Sequence, residues 1–113
     1  MELVELKAGF AKMTIFPTPH MLNTHGTVHG GIIFSLADYA FAAASNSYGK
    51  TAVGVTNTIH YMSPALADHQ LTAIAEEVKF SLVSDPYLMM TYAQQWRRWF
   101  IVKMKISSNK RKM

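Results

Sequence analysis

Asp38 is the only formal charge between residues 29 and 48, where the chain reads HGGIIFSLADYAFAAASNSY. Taking an unpaired carboxylate out of water costs so much free energy that the group normally finds a partner, shifts its pKa or takes part in chemistry. Nine residues before Asp38 stands His29, followed directly by Gly30 and Gly31. A lone carboxylate and a glycine-bearing helix start on one segment are the strongest functional signal in the chain.

The glycine pair predicts a site for a carbonyl oxygen or an anion. A helix N-terminus presents unpaired N–H groups and the positive end of the helix dipole, and glycine lets a ligand approach that backbone closely. Asp38 lies about 12 Å farther along the helix at 1.5 Å per residue, so it cannot serve the same atom as Gly30 of its own chain. A symmetric dimer solves this by bringing Asp38 of one subunit to the Gly30 end of the other. Judged alone, the glycines also fit an ordinary loop-to-helix turn, and Asp38 equally fits a buried structural carboxylate.

The elements that position these residues follow from the hydrophobic pattern. Apolar residues on nearly every side predict a buried helix over about residues 29–47, and alternation over residues 4–15 predicts one long strand with a bulge near Gly9. Four further strands are predicted at residues 52–62, 70–82, 88–95 and 99–106. This order predicts an α+β fold, a curved antiparallel sheet wrapped around one long buried helix, in a single domain spanning residues 1–113.

Composition narrows the classes of function. All seven acidic residues lie within residues 1–85, and seven of the eleven basic residues lie within 86–113, so the net charge of +4 reflects a basic end rather than a basic protein. We therefore expect no nucleic-acid partner. The apolar run is too short to span a bilayer, no secretory signal is visible and there are no cysteines, which together predict a cytoplasmic protein without membrane attachment.

The stretch NTHGTVHGGIIFSLADYAFA, residues 23–42, resembles the signature of hotdog-fold acyl-CoA thioesterases of the phenylacetic-acid-degradation type. The spacing agrees with that family: His29 follows Asn23 by six positions, Gly30 comes next, and Asp38 follows the histidine by nine.

A second stretch, VGVTNTIHYMSPA at residues 53–65, is similar to the family's second strand and the turn after it. It places Thr56 where a serine or threonine assists the water. The resemblance covers about residues 1–82 and implies the hotdog fold, with hydrolysis of acyl-CoA or aryl-acyl-CoA thioesters. It implies a homodimer as the condition for activity, a homotetramer as the expected assembly, and no cofactor, because CoA is part of the substrate.

The resemblance also implies roles for single residues. The N–H of Gly30, helped by Gly31, would polarise the thioester carbonyl, a contribution of about 3 to 4 kcal/mol per donor in comparable sites. Asp38, reaching across the dimer, would act as general base on water or as nucleophile through a mixed anhydride.

The remaining predicted site residues would hold the loop, the water and the acyl group. Asn23 would orient water or substrate, Thr56 would bond the water or Asp38, and His29 would hold the loop beside the substrate by hydrogen bonds. No metal site is predicted, because His20, His25 and His29 lack a completing Glu or Cys. From composition, we expect a pocket that suits an apolar or aromatic acyl group beside four aromatic side chains, namely Phe34, Tyr39, Phe41 and Tyr48.

Residues 83–113 resemble the family poorly. The Asp-Gly or Asn-Gly hairpin usual between its last two strands is replaced here by QQWRR at residues 94–98. This end is either a divergent lineage or an altered reading frame.

Two other readings of the chain stay open. His29 with Asp38 also resembles the acid and histidine of a hotdog enoyl-CoA hydratase or dehydratase. The basic C-terminus would suit a non-catalytic module that binds acyl-CoA or, less well supported, RNA.

Overall fold

The structure, a computed structural model, describes the backbone of residues 1–49, 53–61, 63–78, 89–95 and 98–110, and the side chains of residues 1–49, 57–61, 63–77 and 106–107. In these ranges the chain forms one long helix and a six-stranded sheet. The α+β class and the order of a helix followed by four strands are confirmed. The elements are β1 (Glu2–Lys7), β2 (Phe10–Ile15), α1 (Gly30–Ser45), β3 (Val53–Thr58), β4 (His69–Val78), β5 (Met89–Gln95) and β6 (Arg98–Lys110).

The first strand predicted from the sequence is wrong in one respect, because the chain reverses where a bulge was expected. β1 and β2 pair antiparallel up to Lys7 opposite Phe10, so Ala8 and Gly9 form the turn between them. Gly9 has a φ of 72°, in the left-handed region that a residue with a side chain rarely adopts. The register does shift within β1, between Leu3 and Glu5.

The strands follow the order β1-β2-β4-β6-β5-β3, and every pairing is antiparallel. β3 and β4 are therefore consecutive in the sequence yet far apart in the sheet. β5 and β6 form a hairpin whose last pair is Gln95 with Arg98, while Trp96 and Arg97 of the expected turn lie outside the described residues. β6 occupies the interior of the sheet although it belongs to the segment predicted to be atypical, and that designation stays a prediction.

Inward residues of β2 and β4 meet α1 to form the core. Paired residues point to the same face of a sheet, and three pairs are buried here: Ala11 with Ala75, Met13 with Ala73, and Ile15 with Leu71. Alanines on the sheet leave room for the larger side chains of the helix. The buried helix residues are Leu36, Ala37, Ala40, Phe41, Ala44 and Ser45. This packing fixes the axis and rotation of α1, and with them the position of its N-terminus.

Candidate active site

The start of α1 leaves two backbone donors without a partner in the part of the chain that the structure describes. His29 is the N-cap, with φ −56° and ψ 137°, and its side chain makes no capping hydrogen bond. Its carbonyl accepts the N–H groups of Ile32 at 3.0 Å and Ile33 at 3.3 Å. The N–H groups of Gly30 and Gly31 have no acceptor among the described residues. Two free donors at the positive end of a sixteen-residue helix can bind a carbonyl oxygen that gains negative charge.

The loop before the helix is held by Asn23. Its side-chain oxygen accepts the backbone N–H of His25 at 2.9 Å and of Thr27 at 3.2 Å. Its side chain also bonds the Thr27 hydroxyl, and its own N–H donates to the Thr27 carbonyl at 2.7 Å. Gly26, with φ 79°, allows the tight reversal. In the single chain Asn23 therefore organises the loop, and the role predicted for it toward water or substrate stays a prediction.

Two backbone hydrogen bonds attach this loop to its surroundings and fix the position of the first residue of α1. The N–H of His29 donates to the carbonyl of Met21 at 2.8 Å, and the N–H of Val28 donates to the carbonyl of Ala65 at 2.9 Å. His29 thus secures the loop through its backbone, while its side chain is exposed.

An open, mainly apolar cleft of about 450 Å³ lies beside the helix start. This volume falls within the range of about 300 to 1,000 Å³ typical of small-molecule sites. Gly30 contributes the backbone at one side of the cleft and Tyr61 the facing ring. The other lining residues are Val28, Ile33, Ser63, Pro64 and Ala65.

Tyr61 touches Gly30 directly. Its hydroxyl donates to the Gly30 carbonyl at 3.0 Å. A Cβ placed on Gly30 would lie 3.1 Å from the Tyr61 Cζ atom, closer than most real contacts, whereas a Cβ on Gly31 would meet nothing within 4 Å. The position of Gly30 therefore favours glycine, because the Tyr61 ring occupies the space that a side chain would need.

Asp38 is exposed in the single chain, because α1 buries the face that packs on the sheet and leaves the opposite face open. Gly31, Ser35, Asp38 and Ala42 follow one another at helical spacing on the face that turns away from the core. Asp38 makes no hydrogen bond or ion pair with any described residue. The described part of the chain therefore gives this carboxylate no structural partner.

Gly30 and Asp38 are not brought together within one chain. They lie eight residues apart on the same helix, about 12 Å along its axis and roughly 80° around it. Only Gly30 of the two lines the cleft.

The aromatic pocket expected from the sequence does not form within the described part of the chain. Phe41 is 2% exposed in the core, and Phe34 is a partly buried side chain packed against it. Tyr39 is 60% exposed on the outer face of α1, and Tyr48 lies beyond its C-terminal end. None of these four residues lines the cleft, because α1 turns the three that it carries toward other faces and Tyr48 lies outside the helix. For Phe34 and Tyr39, contact with substrate stays a prediction.

Thr56 lies in β3, opposite Tyr92 of β5, with an irregular register between Gly54 and Thr56. Its side chain lies outside what the structure describes, so its predicted role toward water stays a prediction. Sequence reasoning overlooked Tyr61, although the tyrosine stands in the quoted motif and directly follows strand-like residues. Its importance depends on contact with a glycine 31 positions earlier, which no local pattern reveals.

The far end of α1 carries a second polar cluster. The hydroxyl of Tyr48 donates to the carboxylate of Glu77, and the N–H of Gly9 donates to the Ser47 hydroxyl at 2.8 Å. The hydrogen bond to Glu77, together with desolvation and the negative charge of Glu77, raises the pKa of Tyr48 above its ordinary value of 10.0. This cluster ties the helix C-terminus to the β1–β2 turn and to β4.

Among the described residues, no three His, Cys, Asp or Glu side chains converge as a metal site would require. None of the helices in the same part of the chain has the length and apolar character needed to cross a bilayer.

Comparison with known proteins gives a consistent result. The family profile of the Thioesterase superfamily matches residues 25–81. A protein of Archaeoglobus fulgidus described as a putative esterase is 45% identical over 87 residues, which are 77% of this chain and 56% of the relative. The acyl-coenzyme A thioesterase PaaI of Escherichia coli K12 is 45% identical over 76 residues, 67% of this chain and 54% of that protein. The chain thus spans about half the length of these curated relatives.

The solved structure of PaaI from the phenylacetic acid degradation operon of E. coli superposes with a TM-score of 0.69 at 31% identity. The match covers 98% of this chain and 79% of that one. These similarities confirm the predicted hotdog fold and the resemblance from which it was inferred.

Proposed function

The chain belongs to the thioesterase superfamily, and on that premise we propose that it hydrolyses acyl-CoA or aryl-acyl-CoA thioesters to the free acid and CoA. One observation carries the proposal: the N–H groups of Gly30 and Gly31 are unpaired among the described residues, at the edge of an apolar cleft. A thioester carbonyl whose oxygen meets these donors would place its acyl group in the cleft. The E. coli relative is named an acyl-coenzyme A thioesterase, which is the same chemistry.

Stabilisation of developing charge is the first part of the mechanism. As water adds to the thioester carbon, the carbonyl oxygen becomes an oxyanion and its hydrogen bonds to the two N–H groups strengthen. Each preorganised donor of this kind contributes about 3 to 4 kcal/mol to lowering the barrier. Collapse of the tetrahedral adduct then expels the CoA thiolate and leaves the carboxylic acid.

Asp38 of a second subunit supplies the base in this proposal. Its separation from Gly30 along α1 excludes joint action on one substrate within a chain. Its exposure and lack of a partner among the described residues leave it available to an adjoining subunit. The carboxylate would remove a proton from water, or attack the carbonyl carbon itself, expel the CoA thiolate and form a mixed anhydride that water then cleaves to the free acid and the carboxylate. The active unit is thus a homodimer, and a homotetramer is its expected assembly.

The supporting residues complete the proposal. Asn23 orients the water or the substrate in addition to holding its loop, and Thr56 bonds the water or Asp38. His29 and Gly31 border the thioester, and Phe34 and Tyr39 contact substrate in the assembled dimer. We further propose that the reaction takes place in the cytoplasm and uses no cofactor.

The test is release of free CoA, followed with a thiol reagent, from phenylacetyl-CoA and from straight-chain acyl-CoAs. Asp38→Asn should lower turnover by about 10²- to 10⁴-fold while CoA binding persists. Asp68→Asn changes another exposed carboxylate, in the turn before β4, and is the matched control.

Full activity of Asp38→Asn would contradict the assignment. Loss of the conjugated double bond from an enoyl-CoA, without CoA release, would instead identify a hydratase.

A further inference from the structure

Tyr61 is bonded to the peptide unit that carries one of the two proposed oxyanion donors. The carbonyl of Gly30 and the N–H of Gly31 belong to the same planar peptide group. The Tyr61 hydroxyl donates to that carbonyl at 3.0 Å, on the cleft side of the helix start. The contact joins a residue just beyond β3 to the first turn of α1.

We propose that Tyr61 is a positioning residue for hydrolysis, which orients and polarises the Gly30–Gly31 peptide. This inference rests on the proposed function, because it assumes that the Gly31 N–H binds the thioester oxygen. A donor on the carbonyl side of an amide withdraws electron density and makes the N–H on the other side a stronger donor. It also limits rocking of the first peptide of the helix, where no earlier turn holds the backbone.

The ring and the hydroxyl of Tyr61 have separable effects. The ring lies over the Cα of Gly30 and forms a wall of the cleft, so it affects how the acyl group fits. The hydroxyl acts on the peptide, and its effect grows as charge develops on the substrate oxygen. Loss of the hydroxyl alone should therefore lower kcat more than it raises KM.

Kinetic analysis of Tyr61→Phe tests the hydroxyl. Removing one neutral hydrogen bond should lower kcat about three- to tenfold, with KM within about twofold of the wild type. Tyr61→Leu also removes the ring and should raise KM in addition. Tyr48→Phe removes a hydroxyl bonded to Glu77, away from the cleft, and should leave kcat unchanged.

A spectroscopic measurement keeps this inference separate from the proposed function. The chain has six glycines, so ¹⁵N-glycine labelling gives a sparse amide spectrum in which Gly31→Ala identifies the Gly31 signal. Tyr61→Phe should shift the Gly31 signal and leave the signals of Gly26 and Gly49 in place.

If the wild type cleaves no thioester, the proposed function fails, while the spectrum still tests the contact of Tyr61 with the peptide. An unmoved Gly31 signal, or a kcat of Tyr61→Phe within twofold of the wild type, would overturn the positioning role.

Discussion

Mixed dimers measure whether Asp38 and Gly30 act across subunits. One variant, Asp38→Asn, removes the proposed base. The other, Gly30→Pro, removes the N–H donor at the first position of α1, where proline fits the helix best. The preceding residue, His29, has φ −56° and ψ 137°, a conformation that a following proline favours. The proline ring would crowd Tyr61, 3.1 Å from a Cβ at this position, which further obstructs the site.

The expected recovery follows from the geometry of α1. Under the proposed function each active site combines Gly30 of one chain with Asp38 of the other, because the two residues are about 12 Å apart on one helix. A mixed dimer then holds one site with both groups intact and one site with neither. Random pairing of equal amounts makes half of the dimers mixed, so CoA release should reach about one quarter of the wild-type rate.

The assay is CoA release after the two inactive variants are unfolded together and refolded, with native mass spectrometry to count mixed dimers. Each variant refolded alone sets the background. If mixed dimers form in the expected proportion and the rate stays at background, both groups act within one chain, and the reasoning from helix geometry is refuted.

Three further predictions concern stability. Leu36→Ala leaves a cavity at a fully buried position of α1 and should lower the free energy of unfolding, measured by urea titration, by about 2 to 5 kcal/mol. A decrease below about 1 kcal/mol would contradict the described core. Gly31→Ala should raise the free energy of unfolding by up to about 1 kcal/mol, because the added Cβ meets no atom within 4 Å. Gly30→Ala should stabilise the protein less, or destabilise it, because its Cβ would crowd the Tyr61 ring. Equal thermal midpoints of the two variants would argue against the contact between Gly30 and Tyr61. The raised pKa of Tyr48 means that its stabilising bond to Glu77 is fully present below about pH 10 and is lost as pH rises through the higher folded-state pKa. Alkaline ultraviolet titration of Tyr48→Phe should therefore lack one tyrosine that ionises above pH 10 in the wild type.

Much of the fold could be read from the sequence because its signals are local. The Ala-rich apolar run predicts α1, and alternation of apolar residues predicts the strands, including β5 and β6 in the segment with little family resemblance. The β1–β2 turn was missed because Gly9 can occupy a bulge or a reversal, and only the antiparallel pairing of β1 with β2 shows the reversal. The exposure of Asp38 was also missed, since an apolar composition does not say which face of a helix the sheet covers.

The sequence by itself determined the chemistry available at the site: a glycine pair at a helix start, and a carboxylate too far along the helix to share its substrate. Both follow from residue type and the fixed rise of a helix. Tertiary structure alone decided what surrounds the glycines, because Tyr61 reaches Gly30 only when the chain beyond β3 lies against the first turn of α1. It also decided that the cleft is lined by Ile33 and Pro64 rather than by the aromatic residues of the helix, since packing on β2 and β4 sets the helix rotation.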